Sequence, residues 1–200
     1  MKGDTACAER TLVVVRHGQT DWNAEDRFQG QVDIPLNQVG YTQAAKLRAR
    51  LAGIGFDMAY SSPLRRALAT AEIIAGGIPI SVDARIIEIH HGEWQGRTKF
   101  QIAERWPHQW ERWNNEPQRF TPSGGETADT VRTRVEHFLK TMKGDRILCV
   151  SHGVIIQTIL SVLLGGRYLD PNQYVPANGS IHTVRFQDGN LSGYEIGSIA

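Results

Sequence analysis

A chain of 200 residues with 22 Lys and Arg against 21 Asp and Glu carries a net charge of +1, which excludes a protein that grips a polyanion by bulk charge. With 40% hydrophobic and 22% charged residues it is neither a disordered tail nor a membrane protein. The length suits one domain with a sizeable core. Its two cysteines, Cys7 and Cys149, exclude a disulfide framework and a four-cysteine zinc site, and point to a reducing compartment.

In chain order, Met1–Arg10 lacks the apolar stretch of a leader, so a cytoplasmic location is expected. Thr11–Val15 is a β-branched run that stops at Arg16-His17-Gly18 and reads as a buried strand. A helix is expected from about Tyr41 to Leu51. Another follows Asp57–Tyr60, with Ser62 as its cap, Pro63 at its first position and an apolar face of Leu64, Ala67, Leu68, Ala71 and Ile74. Thr98–Gly125 carries Trp106, Trp110 and Trp113, interrupted by Pro107, and reads as a small helical cap. Glu126–Met142 places Ala128, Val131, Val135, Phe138, Leu139 and Met142 on one helical stripe.

Arg146–Val150 is a second strand, ending at Ser151-His152-Gly153, with Cys149 as a core residue. Val154–Leu164 is too short and too polar to span a bilayer and reads as a buried helix. Ile181–Phe186 and Leu191–Ile196 flank Gln187–Asn190 as a hairpin. The alternation predicts an α/β fold: three α/β/α layers, a mostly parallel central sheet, an antiparallel edge strand and a small helical cap insertion at about 98–125, all in one domain over 1–200. Sites in such sheets form at the carboxyl ends of strands, where both His-Gly pairs fall.

Arg16 and His17 at a strand mouth suit an anion. Arg65 opposes the dipole of its helix in the first turn, which suggests a ligand, whereas Arg66 beside it reads as a solvated residue. His152 precedes a helix whose first amides, at Gly153, suit a phosphate. Glu88, within Ile86–Ile89, reads as a strand residue facing solvent or as a partly buried acid with a raised pKa. Together these residues offer a phosphate clamp, a nucleophile and an acid. No His-Glu-x-x-His and no phosphate-binding Gly-x-x-x-x-Gly-Lys occurs, and an extended His90-His91 would point to opposite faces.

Arg16-His17-Gly18-Gln19-Thr20 with Trp22-Asn23 resembles the signature of the histidine phosphatase superfamily, in the branch of cofactor-dependent phosphoglycerate mutases and small-molecule phosphatases. Five further blocks match in order: Gly30–Leu36 through Gly40, Ser61–Ala67 with Thr70-Ala71, Glu88 with Gly92, Trp94 and Gly96, Gly124–Thr127, and Val150–Gly153. The resemblance implies that His17 is a phosphorylated nucleophile and Glu88 the proton donor, that Arg16, Asn23, Arg65 and His152 bind the phosphoryl group, and that His152 is cationic. Gln29 and Gly30 fall at substrate-contacting positions, and Gly153 joins them. It implies no metal and no cofactor.

Hydrolysis of small phosphate esters is the expected reaction, because Gln95–Thr98 resembles the phosphatases and the chain ends soon after the hairpin. The alternatives are a phosphoglycerate mutase and a noncatalytic phosphate-binding module. The expected partner is a small phosphorylated metabolite, with no nucleic acid or membrane; a homodimer is compatible with the sequence. The tryptophans either pack the cap or wall a pocket for an apolar or aromatic alcohol.

Overall fold

A computed structural model describes residues 9–117, 119–166 and 174–199; Cys7 and most of the segment read for a leader lie outside them. The strands are β1 (Glu9–Arg16), β2 (Met58–Ser61), β3 (Ile80–Val82), β4 (Arg146–Ser151), β5 (Ser180–Gln187) and β6 (Asn190–Ile199). The helices are α1 (Asp21–Ala24), α2 (Gln38–Leu51), α3 (Arg65–Ala75), α4 (Lys99–Arg105), α5 (Pro107–Asn115), α6 (Ala128–Thr141) and α7 (Gly153–Leu163).

The strands lie in the order β3-β2-β4-β1-β5-β6. The pairs β1–β4, β2–β4 and β2–β3 are parallel, while β5 runs against β1 and β6 against β5. The period of two along β1 sends Leu12 and Val14 to one face, against Phe138 of α6 and Ile155 and Ile159 of α7. Val13 and Val15 go to the other, against Leu47 of α2 and Ala67 and Ala71 of α3. Both faces are covered, so the architecture is the expected three-layer α/β. The carboxyl ends of β1, β2 and β4 are thereby fixed side by side. Each buried aliphatic side chain contributes about 1.5–3 kcal/mol to that rigidity.

The hairpin turn falls at Asp188-Gly189, with φ of 51° and 77°, the left-handed pair that a two-residue turn requires. Cys149 is buried in the core. No helix among the described residues is long and apolar enough to cross a membrane.

Two local expectations need correction. The helix after Ser62 begins only at Arg65, and its cap position is Leu64, in an extended conformation and without a side-chain cap bond. Ser62 Oγ accepts from Leu64 N at 3.3 Å, before the helix, and lies 2.7 Å from His152 Nε2, so the hydroxyl serves the sheet's carboxyl edge. Glu88 is not in a strand; it follows a 3-10 turn at Ala84–Ile86 in an irregular segment. Strands β2 and β3 were not read from the sequence.

Candidate active site

Arg16 pairs with Ser151 across β1 and β4, so His17 and His152 leave their strands side by side, with ring centroids 5.1 Å apart. The turn between Arg16 and Gly18 is pinned by two donors: His17 N to Ser151 O at 3.0 Å and Gly18 N to Thr70 Oγ1 at 3.1 Å. Gly18 backs onto Gly40 of α2, and a Cβ at Gly18 would lie 2.5 Å from the Gly40 carbonyl oxygen. Any side chain there would displace the loop.

His17 Nδ1 lies 2.7 Å from Gly18 O. A carbonyl only accepts, so Nδ1 carries the hydrogen and Nε2 keeps its lone pair. Burial, with Arg66 and Arg16 close by, holds His17 well below the usual imidazole range. The ring is therefore neutral near pH 7.

His152 is fully buried. Its Nε2 meets Ser62 Oγ, while Nδ1 has no partner. Burial, then the charge of Arg66, pushes its pKa well down too. Burial among arginines favours the neutral ring over the cationic one expected, and a neutral ring carries one N–H.

The structure brings Arg16 and Arg66 to the site, not Arg65. Arg16 donates from Nη1 to the Pro176 carbonyl, and Arg66 donates from Nη1 to Val32 O at 2.8 Å and from Nη2 to Gly30 O at 2.7 Å. Both guanidinium groups line one cavity, and in both Nε is buried without a partner. A buried charged donor left unpaired costs about 1–3 kcal/mol or more, which an anion's oxygens would relieve. Burial pushes Arg66 down to about 10, still charged at neutral pH. Arg65 points away, with 63% of its side chain exposed, and binds Asp33 through Nε at 3.1 Å. On α3, Arg66 shares its face with Thr70 and Ile74, at i+4 and i+8, and those are the buried positions.

Asn23 Oδ1 accepts from Thr20 N at 3.1 Å and Asn178 Nδ2 at 3.2 Å, and Asn23 also lines the cavity. At Gly153, a Cβ would stand 3.8 Å from both Arg16 Cζ and Glu88 Oε2, so these groups converge on the start of α7. The first amides of that helix have no intrahelical acceptor and carry its positive end. Glu88 Oε1 accepts from Ile89 N at 3.0 Å. Burial raises its carboxyl, although that hydrogen bond and Arg66, Arg16 and Arg134 oppose the rise.

Gln29, Gly30 and Gly153 all line this cavity, which has a volume of about 550 Å³. Trp110 and Trp113 form part of its wall. Trp106 does not: its ring carries the guanidinium groups of Arg97 and Arg105 at 5.2 and 5.0 Å. Trp94, fully buried, is the hub on which Phe28, Trp110, Trp113 and Phe120 pack. The two readings of the tryptophans are therefore divided among them.

Sequence reading missed Arg66, Trp22, Phe28 and Asn178 as site residues. Asn178 Nδ2 donates to His17 O at 3.1 Å as well as to Asn23, so it ties the loop after β1 to α1. Gly179 N adds a bond to Arg16 O at 3.2 Å. Among the described residues, no group of three or more His, Cys, Asp or Glu is placed to hold a metal ion.

The chain matches the model of the histidine phosphatase superfamily (branch 1) over residues 12–195, and it belongs to that family. It is 36% identical over 160 residues to phosphoserine phosphatase 1 of Hydrogenobacter thermophilus, covering 77% of this chain and 76% of that one. It is 34% identical over 187 residues to a probable phosphoglycerate mutase of Escherichia coli O1:K1 / APEC, covering 88% and 85%. Among solved structures, Bacillus stearothermophilus YhfR superposes with a TM-score of 0.86 at 32% identity, over 95% of this chain and 98% of that one. Family membership and a relative named as a phosphatase support phosphatase activity.

Proposed function

We propose that the protein hydrolyses phosphate monoesters of small molecules through a phosphohistidine on His17, with no metal ion. The observation that carries this reading is the bond from His17 Nδ1 to Gly18 O, which leaves Nε2 unprotonated and free to attack phosphorus. Nε2 forms the new bond to phosphorus as the bond to the leaving oxygen breaks, and the Glu88 carboxyl gives its proton to that oxygen. Water then attacks the phosphohistidine and passes its proton to the Glu88 carboxylate, releasing phosphate and restoring neutral His17.

Arg16 and Arg66 bind the equatorial oxygens, where transition-state charge spreads. The Asn23 amide, the neutral His152 and the first amides of α7 add uncharged donors. Arg66 takes the role that the family resemblance gave to Arg65.

Hydrolysis is favoured over phosphoglycerate mutase chemistry by the resemblance of Gln95–Thr98 to the phosphatases, and the cations at the cavity's rim bear on which ester is bound. A phosphoglycerate needs a second cation for its carboxylate. Arg27 is already held by Glu25 at 2.5 Å and Lys99 by Asp26 at 3.2 Å. His17 and Glu88 together favour an enzyme over a noncatalytic binder. The proposed location is the cytoplasm, with which the free buried Cys149 agrees.

The test is release of phosphate from p-nitrophenyl phosphate with EDTA present, followed by incubation with 3-phosphoglycerate and catalytic bisphosphoglycerate. Full activity in EDTA and no interconversion to 2-phosphoglycerate are expected. Loss of activity restored by a divalent ion, or efficient interconversion, would overturn the reading.

A further inference from the structure

A second cavity of about 290 Å³ lies next to the first, and the two share His91, Trp113, Val154 and Gln157 as walls. The His91 ring stands edge-on to Phe28 at 4.9 Å and near-perpendicular to Trp113 at 5.7 Å. It is only 7% exposed, and its Nδ1 has no partner. On the far side, Phe120, Pro122 and Val131 give the second cavity an apolar wall. Its charged lining is balanced: Arg119 and Arg132 against Glu126 and Asp129.

A cavity of about 150 Å³ holds a benzene ring, so the second cavity has room for one ring with substituents beyond whatever fills the first. Along the first cavity the aromatic edges of Trp22, Phe28, Trp110 and Trp113 suit a flat apolar face. Gln29 Oε1 is buried there without a partner and would take a hydroxyl or N–H. Beyond the phosphate clamp, the first cavity's cations are the ion-paired Arg27 and Lys99.

We infer that the leaving-group site continues past His91 and Trp113 into the second cavity, so that the substrate is the phosphomonoester of an uncharged, ring-bearing alcohol about two rings long. The His91 ring is part of the wall at the junction. This inference rests on the phosphatase reading above, and the test separates the two.

Benzyl phosphate and biphenyl-4-ylmethyl phosphate release alkoxides of nearly equal basicity, so their chemical steps match and only reach differs. The longer ester is expected to have at least about a tenfold higher kcat/KM, carried by a lower KM. Ala128 lines the second cavity only and is partly exposed at the start of α6. Ala128→Phe and the milder Ala128→Leu should bring the ratio of the two esters toward one. A wild-type ratio of one or less, a ratio unmoved by either substitution, or faster hydrolysis of phosphoserine or 3-phosphoglycerate than of either ester would overturn the inference. If p-nitrophenyl phosphate is hydrolysed and both benzylic esters are not, the inference alone fails. If no phosphate ester is hydrolysed, the phosphatase reading fails with it.

Discussion

The Nδ1 atom of His17 lies 2.7 Å from the carbonyl oxygen of Gly18, its own neighbour in the chain. That contact fixes the imidazole tautomer without a carboxylate. The acceptor belongs to a backbone pinned by Ser151 and Thr70. An anionic orienting group would raise the basicity of the ring and pull on the arginines; a carbonyl does neither.

The pH dependence follows from two opposed shifts. In the proposed reaction His17 acts when neutral, and its lowered pKa keeps it neutral below the usual 6.5. Glu88 acts there when protonated, and its raised pKa keeps it protonated above the usual 4.5. The single-turnover phosphorylation rate with saturating benzyl phosphate should not fall between about pH 7.5 and pH 6, and should decline on the alkaline side as Glu88 loses its proton. An acid limb at an ordinary imidazole pKa would contradict this.

The arginine pair separates geometry from motif. Arg66→Ala removes a guanidinium that lines the cavity with His17 and Arg16 and, in the proposed reaction, should lower kcat/KM by about 10² or more. Arg65→Ala breaks an exposed ion pair with Asp33, an interaction worth about 1 kcal/mol or less, and should change kcat/KM by about fivefold or less. Steady-state kinetics with one alkyl phosphate decides it; the reverse ranking would return the role to Arg65.

Why the sequence misassigned this pair is a question of helix phase. Taking Pro63 as the first helical residue put Arg65 in an ordinary first turn, and the dipole argument attached to the wrong residue. The correct sign was present in the spacing Arg66, Thr70, Ile74, against Arg65 and Glu72 on the exposed side. By contrast, the pairing of His17 with His152 was legible, because two short apolar runs ended in the same His-Gly step. Strands β2 and β3 were not: at four and three residues both are too short to show a period, and β3 is a part-exposed edge strand. Asn178 was missed because its contribution is made to carbonyls of the loop after β1, which no local motif announces.

Glu88→Gln should slow phosphorylation by an alkyl phosphate by about 10² to 10⁴. With p-nitrophenyl phosphate the loss should be much smaller, since that phenolate departs without a proton. Rapid-quench measurement of the first step is required, because in the proposed reaction Glu88 also serves the second. Equal losses would mean that Glu88 positions the phosphate only.

Four buried histidines, His17, His91, His152 and His182, have lowered pKa values caused chiefly by burial. Each favours its neutral form in the folded chain, so the unfolded chain binds more protons as pH falls below about 6.5. Their stabilisation is full above that value and falls as the pH drops, down to about 4 for His91 and His182. Glu88, with a raised pKa, works the other way, one group against four. The melting temperature should therefore drop by about 5 °C or more from pH 7 to pH 5; a flat or rising trend in calorimetry would contradict the burial of neutral rings.

The proposed reaction places a covalent bond between phosphorus and His17 Nε2. Labelled substrate mixed with enzyme and quenched in alkali within one turnover should leave stoichiometric label that is stable to base and released by acid. Peptide mapping should place it on His17, and His17→Ala should show neither label nor turnover. Label on another residue, or near wild-type turnover by a folded His17→Ala, would contradict the account.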